Sequence, residues 1–168
     1  MERIPEETEA LDLFTVDFET KLKEEGEVFS RKIEPIQAAR QVKASEVIQT
    51  QMPDGTLEDT AHAEFGDWVV TGPLGETFVV SDEKFNELYK VNLTGGFTPR
   101  QREILAIQNP TGKSIQVRKP WKKEGKPEYQ TGGKDCFLVV SLDEKGEFTD
   151  DRYIIGDEEI LMSNYTPK

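Results

Sequence analysis

The fold is decided by residues 66–80, which read GDWVVTGPLGETFVV. Two short apolar runs, Trp68–Val70 and Phe78–Val80, flank a segment that contains two glycines and a proline. Apolar runs of this length between turn residues are typical of paired β-strands. The stretch therefore predicts a β-hairpin, and Ser81 directly after it predicts the N-cap of a short helix.

A faint copy of this region recurs in the second half of the chain. Four segments have counterparts in the same order, with offsets of 71, 67 and 75 for the first, second and fourth: 31–38 with 102–109, 48–53 with 115–120, 66–70 with 135–140, and 78–85 with 153–160. Tyr89 and Tyr165 close the two copies. The shared order predicts a tandem repeat whose loops differ in length. The alternative is two β-rich halves that are merely alike.

The predicted fold class is α+β and dominated by β-strands, with two small similar β-rich units in tandem after an N-terminal amphipathic helix. The expected organisation is an acidic helical arm over 1–28, a first unit over 29–91, a linker over 92–99 and a second unit over 100–168. A unit of about 65 residues buries too little surface to be stable alone, so we expect the two to pack together.

The helical arm is predicted from the spacing of Leu11, Phe14, Phe18 and Leu22, which places them on one face of a helix from about Glu6 to Glu25. The following glycine would end it. Such a helix would either cover the β core or dock on a partner.

The net charge of −12 is unevenly distributed. Residues 1–30 carry a net −7, whereas residues 98–134 carry a net +6. An acidic chain disfavours nucleic acid and anionic membranes and favours basic partners. The basic segment is the exception, and it is either a solvated loop or a partner surface.

Within the basic segment, residues 118–129 interleave five basic side chains with Trp121 and Tyr129. This combination can grip phosphates and stack on bases, or dock on an acidic protein surface or on the chain's own acidic arm. A solvated hairpin loop is the plain alternative. The candidate partner-binding residues are Arg118, Lys119, Trp121, Lys122, Lys123 and Tyr129.

Few residues of the sequence are candidates for catalysis or metal binding. The single histidine, His62, lies in a polar stretch and is expected to be an exposed loop residue, while Cys136 at the start of an apolar run is expected to be buried. One histidine and one cysteine leave no usual zinc site, so we expect no metal and no cofactor. The chain has no long apolar run and none directly after Met1, so we expect a cytoplasmic protein without a membrane span.

The segment 66–72, together with Gly75-Glu76, Val79-Val80, Phe85 and Tyr89, resembles the small PGDYG-type proteins found in phages and prophages. The resemblance covers about residues 29–91. The chain departs from the pattern at Phe65, where the family usually has proline, and in its N-terminal arm and degenerate second copy. The resemblance implies a small β-rich module of phage or mobile-element origin without catalytic residues.

These observations favour a non-enzymatic, phage-type accessory protein that acts by protein–protein contact, with a host protein as a candidate partner. The alternative is a nucleic-acid or nucleotide-binding module that uses the 118–129 loop. A third hypothesis is an enzyme with a carboxylate site, although the 33 acidic residues make close pairs uninformative.

Overall fold

The computed structural model describes residues 8–51, 57–119 and 128–168. They divide between two compact units. The 103–161 unit contains Glu103–Leu161, the chain up to Phe29, and the last two residues, whereas the 30–102 unit contains Ser30–Arg102 and Met162–Thr166.

Strands predominate in the described part of the chain, as the sequence predicts. In chain order the elements are β1 (Thr8–Leu11), α1 (Val16–Glu25), β2 (Glu27–Arg31), β3 (Ala38–Gln41), β4 (Glu46–Gln51), β5 (Leu57–Ala63), β6 (Trp68–Thr71), β7 (Thr77–Val80), α2 (Asp82–Leu88), β8 (Tyr89–Val91), β9 (Phe97–Pro99), β10 (Glu103–Gln108), β11 (Ser114–Arg118), β12 (Tyr129–Gly132), β13 (Phe137–Leu142), β14 (Phe148–Ile155), α3 (Glu158–Asn164) and β15 (Tyr165–Pro167).

The strands form several small sheets. In the 30–102 unit, β3-β6-β7 make one sheet, and β4-β5 and β8-β9 make two hairpins. In the 103–161 unit, β1-β11-β12 make a three-stranded sheet in which β1 runs parallel to β11. A five-stranded sheet has the order β14-β13-β10-β2-β15.

The hairpin predicted over 66–80 is present as β6 and β7, with Trp68 opposite Val80 and Val70 opposite Phe78. Its turn contains Gly75 at a φ of +86°, a conformation that glycine adopts without strain. Ser81 caps α2 as predicted, since its hydroxyl accepts a hydrogen bond of 3.1 Å from the Lys84 amide.

The core of the 30–102 unit is aromatic. The Trp68 and Phe85 rings stack with their centroids 3.9 Å apart, and Phe97 meets both edge-on. Ile36, Val70 and Tyr89 are the other buried members of the cluster. Edge-to-face and stacked ring pairs of this kind stabilise the core beyond the effect of the area that the rings bury.

The N-terminal segment differs from the predicted helix over Glu6–Glu25. Its described part begins as strand β1, and the helix α1 starts only at Val16. The reason is local. The Asp12 side chain accepts a hydrogen bond from the Phe14 amide and forms a turn. The Thr15 hydroxyl accepts one from the Phe18 amide and caps the N-terminus of α1. Gly26 ends the helix as predicted, donating to the Leu22 carbonyl.

Helix α1 covers the β core of its own unit. Leu22 is fully buried against Leu105 and Val140. A buried arginine from β14 fastens the same segment, because the Arg152 guanidinium donates to the Leu13 carbonyl at 2.7 Å and lies 3.6 Å from the Glu19 carboxylate. Of the two roles expected for the arm, the structure supports the covering one.

The two halves of the chain contain the same series of elements. A strand, a hairpin, a second hairpin, a helix and a short strand follow one another as β3 to β8 in the first half and as β10 to β15 in the second. β3 pairs with β6, and β10 pairs with β13, both antiparallel.

The strand registers also correspond. Val70 lies opposite Phe78, and Val139 lies opposite Tyr153, which reproduces the offset of 75 for that segment. Gln41 and Gln108 lie opposite Trp68 and Phe137, which relates the opening strands at an offset of 67. The sequence alignment of the segment 31–38 at an offset of 71 is therefore wrong by four residues. The isoleucines that match at this offset lie before β3, which begins only at Ala38, so they do not mark equivalent positions of the two strands.

The residues assigned to a linker, 92–99, form the turn and second strand of the β8–β9 hairpin. Tyr89 lies opposite Pro99, and the Asn92 amide donates to the Gly96 carbonyl at 2.8 Å. Gly95, at a φ of +85°, closes this turn.

Candidate interaction surface

The hairpin β11–β12 positions both ends of the basic segment 118–129. Ile115 and Val117 point inward and pack with Leu138 and Ile154, so the intervening side chains face outward. The alternation therefore directs Arg118 to the surface.

Arg118 lies directly opposite Tyr129 in the antiparallel register. Both are exposed, and the Tyr129 side chain is 43% accessible. Facing residues on neighbouring strands have Cβ atoms about 5 Å apart, so the two side chains form one continuous surface. A guanidinium beside an aromatic ring offers a partner both a charge-assisted donor and an apolar face.

Lys119, by contrast, is buried. Its ammonium lies 3.8 Å from the Glu128 carboxylate, and its amide donates to the Glu128 carbonyl at 2.8 Å. The side chains are only 9% and 16% accessible. The structure thus places this candidate residue in an internal ion pair at the base of the segment.

Trp121, Lys122 and Lys123 lie outside the described residues. Of the six candidate residues, the structure brings Arg118 and Tyr129 together and turns Lys119 inward.

The residues considered for catalysis have plain structural positions. Cys136 is fully buried, as expected, and Gly132 lies so close to it that a Cβ there would be 2.7 Å from the Cys136 sulfur. His62 is exposed, but on strand β5 and not in a loop. Over the described ranges, no three His, Cys, Asp or Glu side chains are grouped to hold a metal ion.

Sequence reasoning missed a buried polar cluster in the 30–102 unit. It consists of two arginine–tyrosine pairs: Arg31 with Tyr89, and Arg102 with Tyr165. The Arg102 guanidinium donates to the Tyr165 hydroxyl at 2.6 Å, and the positive charges of Arg31 and Arg102 both act on the Tyr89 hydroxyl. The Arg31 guanidinium also lies 5.3 Å from the centre of the Tyr165 ring.

Asn164 and Glu76 extend this cluster. Arg31 donates to the Asn164 backbone oxygen at 2.8 Å and to its side-chain oxygen at 2.9 Å. The Asn164 amide in turn donates to Glu76 at 3.2 Å. The second Glu76 oxygen accepts a hydrogen bond of 2.9 Å from the Leu74 amide, so a buried carboxylate bridges the turn and the cluster.

Burial raises the pKa of the Tyr89 hydroxyl, and the nearby positive charges of Arg31 and Arg102 oppose that rise. Arg31 is only 8% accessible, and both tyrosines are buried as well. The cluster therefore suits a structural role, in which two cations are solvated by phenol, amide and carbonyl oxygens. Glu76 and Tyr89 belong to the PGDYG-like pattern of the sequence, but no sequence signal connects them with Arg31 or Asn164.

No protein-family model, no curated protein and no solved structure matches this chain. In the part of the chain that the structure describes, none of the helices is both long enough and apolar enough to cross a membrane.

Proposed function

We propose that this protein is a non-enzymatic binding module that contacts an acidic protein surface through Arg118 and Tyr129. The observation that carries the proposal is their position: an exposed arginine faces an exposed tyrosine on adjacent strands, at the two ends of a strongly basic segment. Arginine and tyrosine are enriched among residues that dominate protein interfaces.

The charge distribution supports a protein partner over nucleic acid. The chain carries a net −12, which repels a polyanion at long range, while the segment 98–134 is positive. Glu128 pairs with Lys119 and removes one cation from the set that could contact phosphates. An acidic patch on a partner protein is compact enough to contact the remaining cations of the basic segment without approaching the acidic regions of this chain.

An origin in a phage or prophage, with a host protein as the partner, is part of the proposal. It rests on the resemblance of residues 29–91 to PGDYG-type proteins.

We further propose that the chain arose by tandem duplication. The matched element order and strand registers of β3–β8 and β10–β15 support this origin. Turn chemistry supports it too: Gly75 and Gly146 both have a positive φ, and in each turn the glycine amide donates to the carbonyl of the residue three positions earlier.

The test compares affinity capture by the full-length protein with capture by the double variant Arg118→Glu, Tyr129→Ala. Lys134→Glu is the matched control, since Lys134 is an exposed cation in the same unit. We expect one stoichiometric protein to be retained by the wild type and the control and lost by the double variant. Calorimetry with the purified partner should then show an affinity at least about tenfold weaker for the double variant.

Two results would overturn the proposal. Retention of every partner by the double variant would remove Arg118 and Tyr129 from the interface. Binding of a fluorescent DNA or RNA oligonucleotide at low salt, lost in the double variant but kept by Lys134→Glu, would establish the nucleic-acid alternative instead.

A further inference from the structure

A glutamine side chain connects the strand that carries Tyr129 to a strand of the neighbouring sheet. The side-chain nitrogen of Gln130 donates to the Ile154 carbonyl at 2.9 Å, and the side-chain oxygen of Gln130 accepts a hydrogen bond of 2.8 Å from the Ile154 amide. A residue of an antiparallel strand makes the same pair of hydrogen bonds to the residue that it faces. The Gln130 side chain therefore takes the place of one residue of a neighbouring strand.

This contact lies at the edge of the five-stranded sheet. Strand β14 is the last strand on one side of that sheet, and Ile154 lies opposite Leu138 of β13. Because both backbone groups of Ile154 bond to Gln130, they point away from β13 and toward the outer side of β14. Strand β12 is thus held by backbone pairing with β11 on one side and by the Gln130 side chain on β14.

A glycine permits this close approach of β12 to β14. A Cβ atom on Gly132 would lie 2.8 Å from the Ile154 Cγ2 atom, which is closer than side-chain carbons pack. Two residues of β12 are therefore adapted to the contact, Gly132 by its small size and Gln130 by its two hydrogen bonds.

Both chain neighbours of Tyr129 are fastened to other strands. The Glu128 carbonyl accepts a hydrogen bond of 2.8 Å from the Lys119 amide, and Gln130 is bound to Ile154. The backbone is therefore held on either side of Tyr129.

The same arrangement sets the direction of the Tyr129 side chain. Gln130 lies opposite the buried Val117 on the inner face of the hairpin, so the preceding residue, Tyr129, faces outward beside Arg118. A ring that is held in this direction before a partner arrives loses less conformational entropy on binding.

We propose that Gln130 is a positioning residue of the binding surface formed by Arg118 and Tyr129. Its side chain fastens β12 to β14, and this contact holds Tyr129 in line with Arg118. This role rests on the proposed function, because it concerns the same surface. Gln130 faces inward, so it acts through Tyr129 and not by touching the partner.

The first test follows Tyr129 in the absence of a partner. The full-length protein is labelled with meta-fluorotyrosine, and Tyr129→Phe identifies the Tyr129 fluorine signal among those of the four tyrosines. Gln130→Leu has a side chain of similar size that can neither donate nor accept. We expect it to shift or broaden the Tyr129 signal, to leave the signals of the buried Tyr89 and Tyr165 unchanged, and to speed exchange of the Ile154 amide about tenfold.

Gln108→Leu is the matched control. Gln108 is an exposed glutamine on β10 of the same unit. The control should change neither the Tyr129 signal nor the exchange of the Ile154 amide.

Gln130→Glu gives a readout that a loss of packing would not move. An ionised glutamate cannot donate to the Ile154 carbonyl, whereas a protonated glutamic acid can both donate and accept, as glutamine does. The Tyr129 signal of this variant should differ from that of the wild type at neutral pH. It should return toward the wild-type signal as the pH falls through the pKa of the introduced carboxyl group, and Gln130→Leu should show no such return.

The second test measures binding by calorimetry with the partner that the wild type retains. Gln130→Leu should bind this partner about tenfold more weakly, although Arg118 and Tyr129 are both still present. Gln108→Leu should bind it as the wild type does.

Failure of this proposal and failure of the proposed function give different results. An unchanged Tyr129 signal and unchanged Ile154 exchange in Gln130→Leu would show that Gln130 does not position Tyr129. A changed Tyr129 signal with unchanged partner affinity would overturn the role of Gln130 in binding. Retention of the partner by the Arg118→Glu, Tyr129→Ala variant would overturn the proposed function and the binding role together, even if the fluorine spectra show that Gln130 orders Tyr129.

Discussion

The Glu76 carboxylate occupies the space that a Cβ atom on Gly72 would take. Gly72 opens the β6–β7 turn, and its amide donates to the Glu76 carbonyl at 2.8 Å. The glycine is therefore required for space and not for an unusual φ, and its absence of a side chain lets the carboxylate reach the Leu74 amide and Asn164.

Gly72→Ala should consequently destabilise the protein. The new methyl group displaces Glu76 and leaves a buried carboxylate with fewer hydrogen bonds, at a cost of about 1–3 kcal/mol. Urea denaturation followed by circular dichroism measures the change in the free energy of unfolding. Gly133→Ala is the control, because a Cβ there meets open space; equal effects of the two substitutions would contradict the account.

The Lys119–Glu128 ion pair should stabilise the base of the basic segment. Lys119→Ala leaves Glu128 largely buried without its cation, so the free energy of unfolding should fall by about 1–3 kcal/mol, less than for a fully dry pair because Glu128 remains partly accessible. The double variant Lys119→Ala, Glu128→Ala should lose less than the sum of the single losses. A double-mutant cycle from urea denaturation measures this coupling, and strict additivity would show that the two side chains do not interact.

We expect Tyr89 to contribute to the loss of folding stability at alkaline pH. Its pKa is raised in the folded protein, so between the ordinary tyrosine pKa of about 10 and the folded value the native state holds a proton that the unfolded state releases. The free energy of unfolding therefore falls as the pH rises through this window. Tyr89→Phe should make that fall shallower by up to about 1.4 kcal/mol per pH unit.

Urea denaturation of the wild type and Tyr89→Phe at a series of pH values from neutral to alkaline measures the difference. Removing the hydroxyl changes the stability of the variant at every pH, so the slope is the informative quantity. Parallel curves above the ordinary tyrosine pKa would contradict the prediction.

Arg152 should hold the N-terminal segment on its unit. Arg152→Ala removes the hydrogen bond to the Leu13 carbonyl, the ion pair with Glu19 and the contact with the Phe14 ring at 4.4 Å. We expect a loss of about 2–4 kcal/mol and faster amide exchange in residues 8–25, because a buried network loses its central donor. Arg118→Ala, at an exposed arginine, is the control and should change neither; unchanged exchange in Arg152→Ala would show that α1 is held by apolar packing alone.

Local patterns predicted local structure well. The hairpin over 66–80, the Ser81 cap and the end of α1 at Gly26 depend on residues within a few positions of one another, and the structure has all three. The N-terminal stripe failed as a prediction because Leu11 and Leu22 share a helical spacing without sharing a helix. The hydrogen bonds of Asp12 and Thr15 interrupt the helix between them.

The candidate surface was predictable only in part. A basic and aromatic segment is visible in the sequence, but its charges look equivalent there. The fold separates them, since strand alternation exposes Arg118 and the close approach of Glu128 buries Lys119. Which side chains face each other across a hairpin depends on the strand register, and the number of charges in a segment does not reveal that register.

By itself, the sequence determined the β-rich character of the chain, its turns and caps, and the location of its basic segment, because these follow from side-chain alternation and backbone preferences over short distances. Only the tertiary structure decided that Arg31, Glu76, Tyr89 and Asn164 meet in one buried cluster, and that β1 pairs with β11. These relationships join residues tens of positions apart. They depend on how strands pair and how the core excludes water, which are properties of the folded chain as a whole.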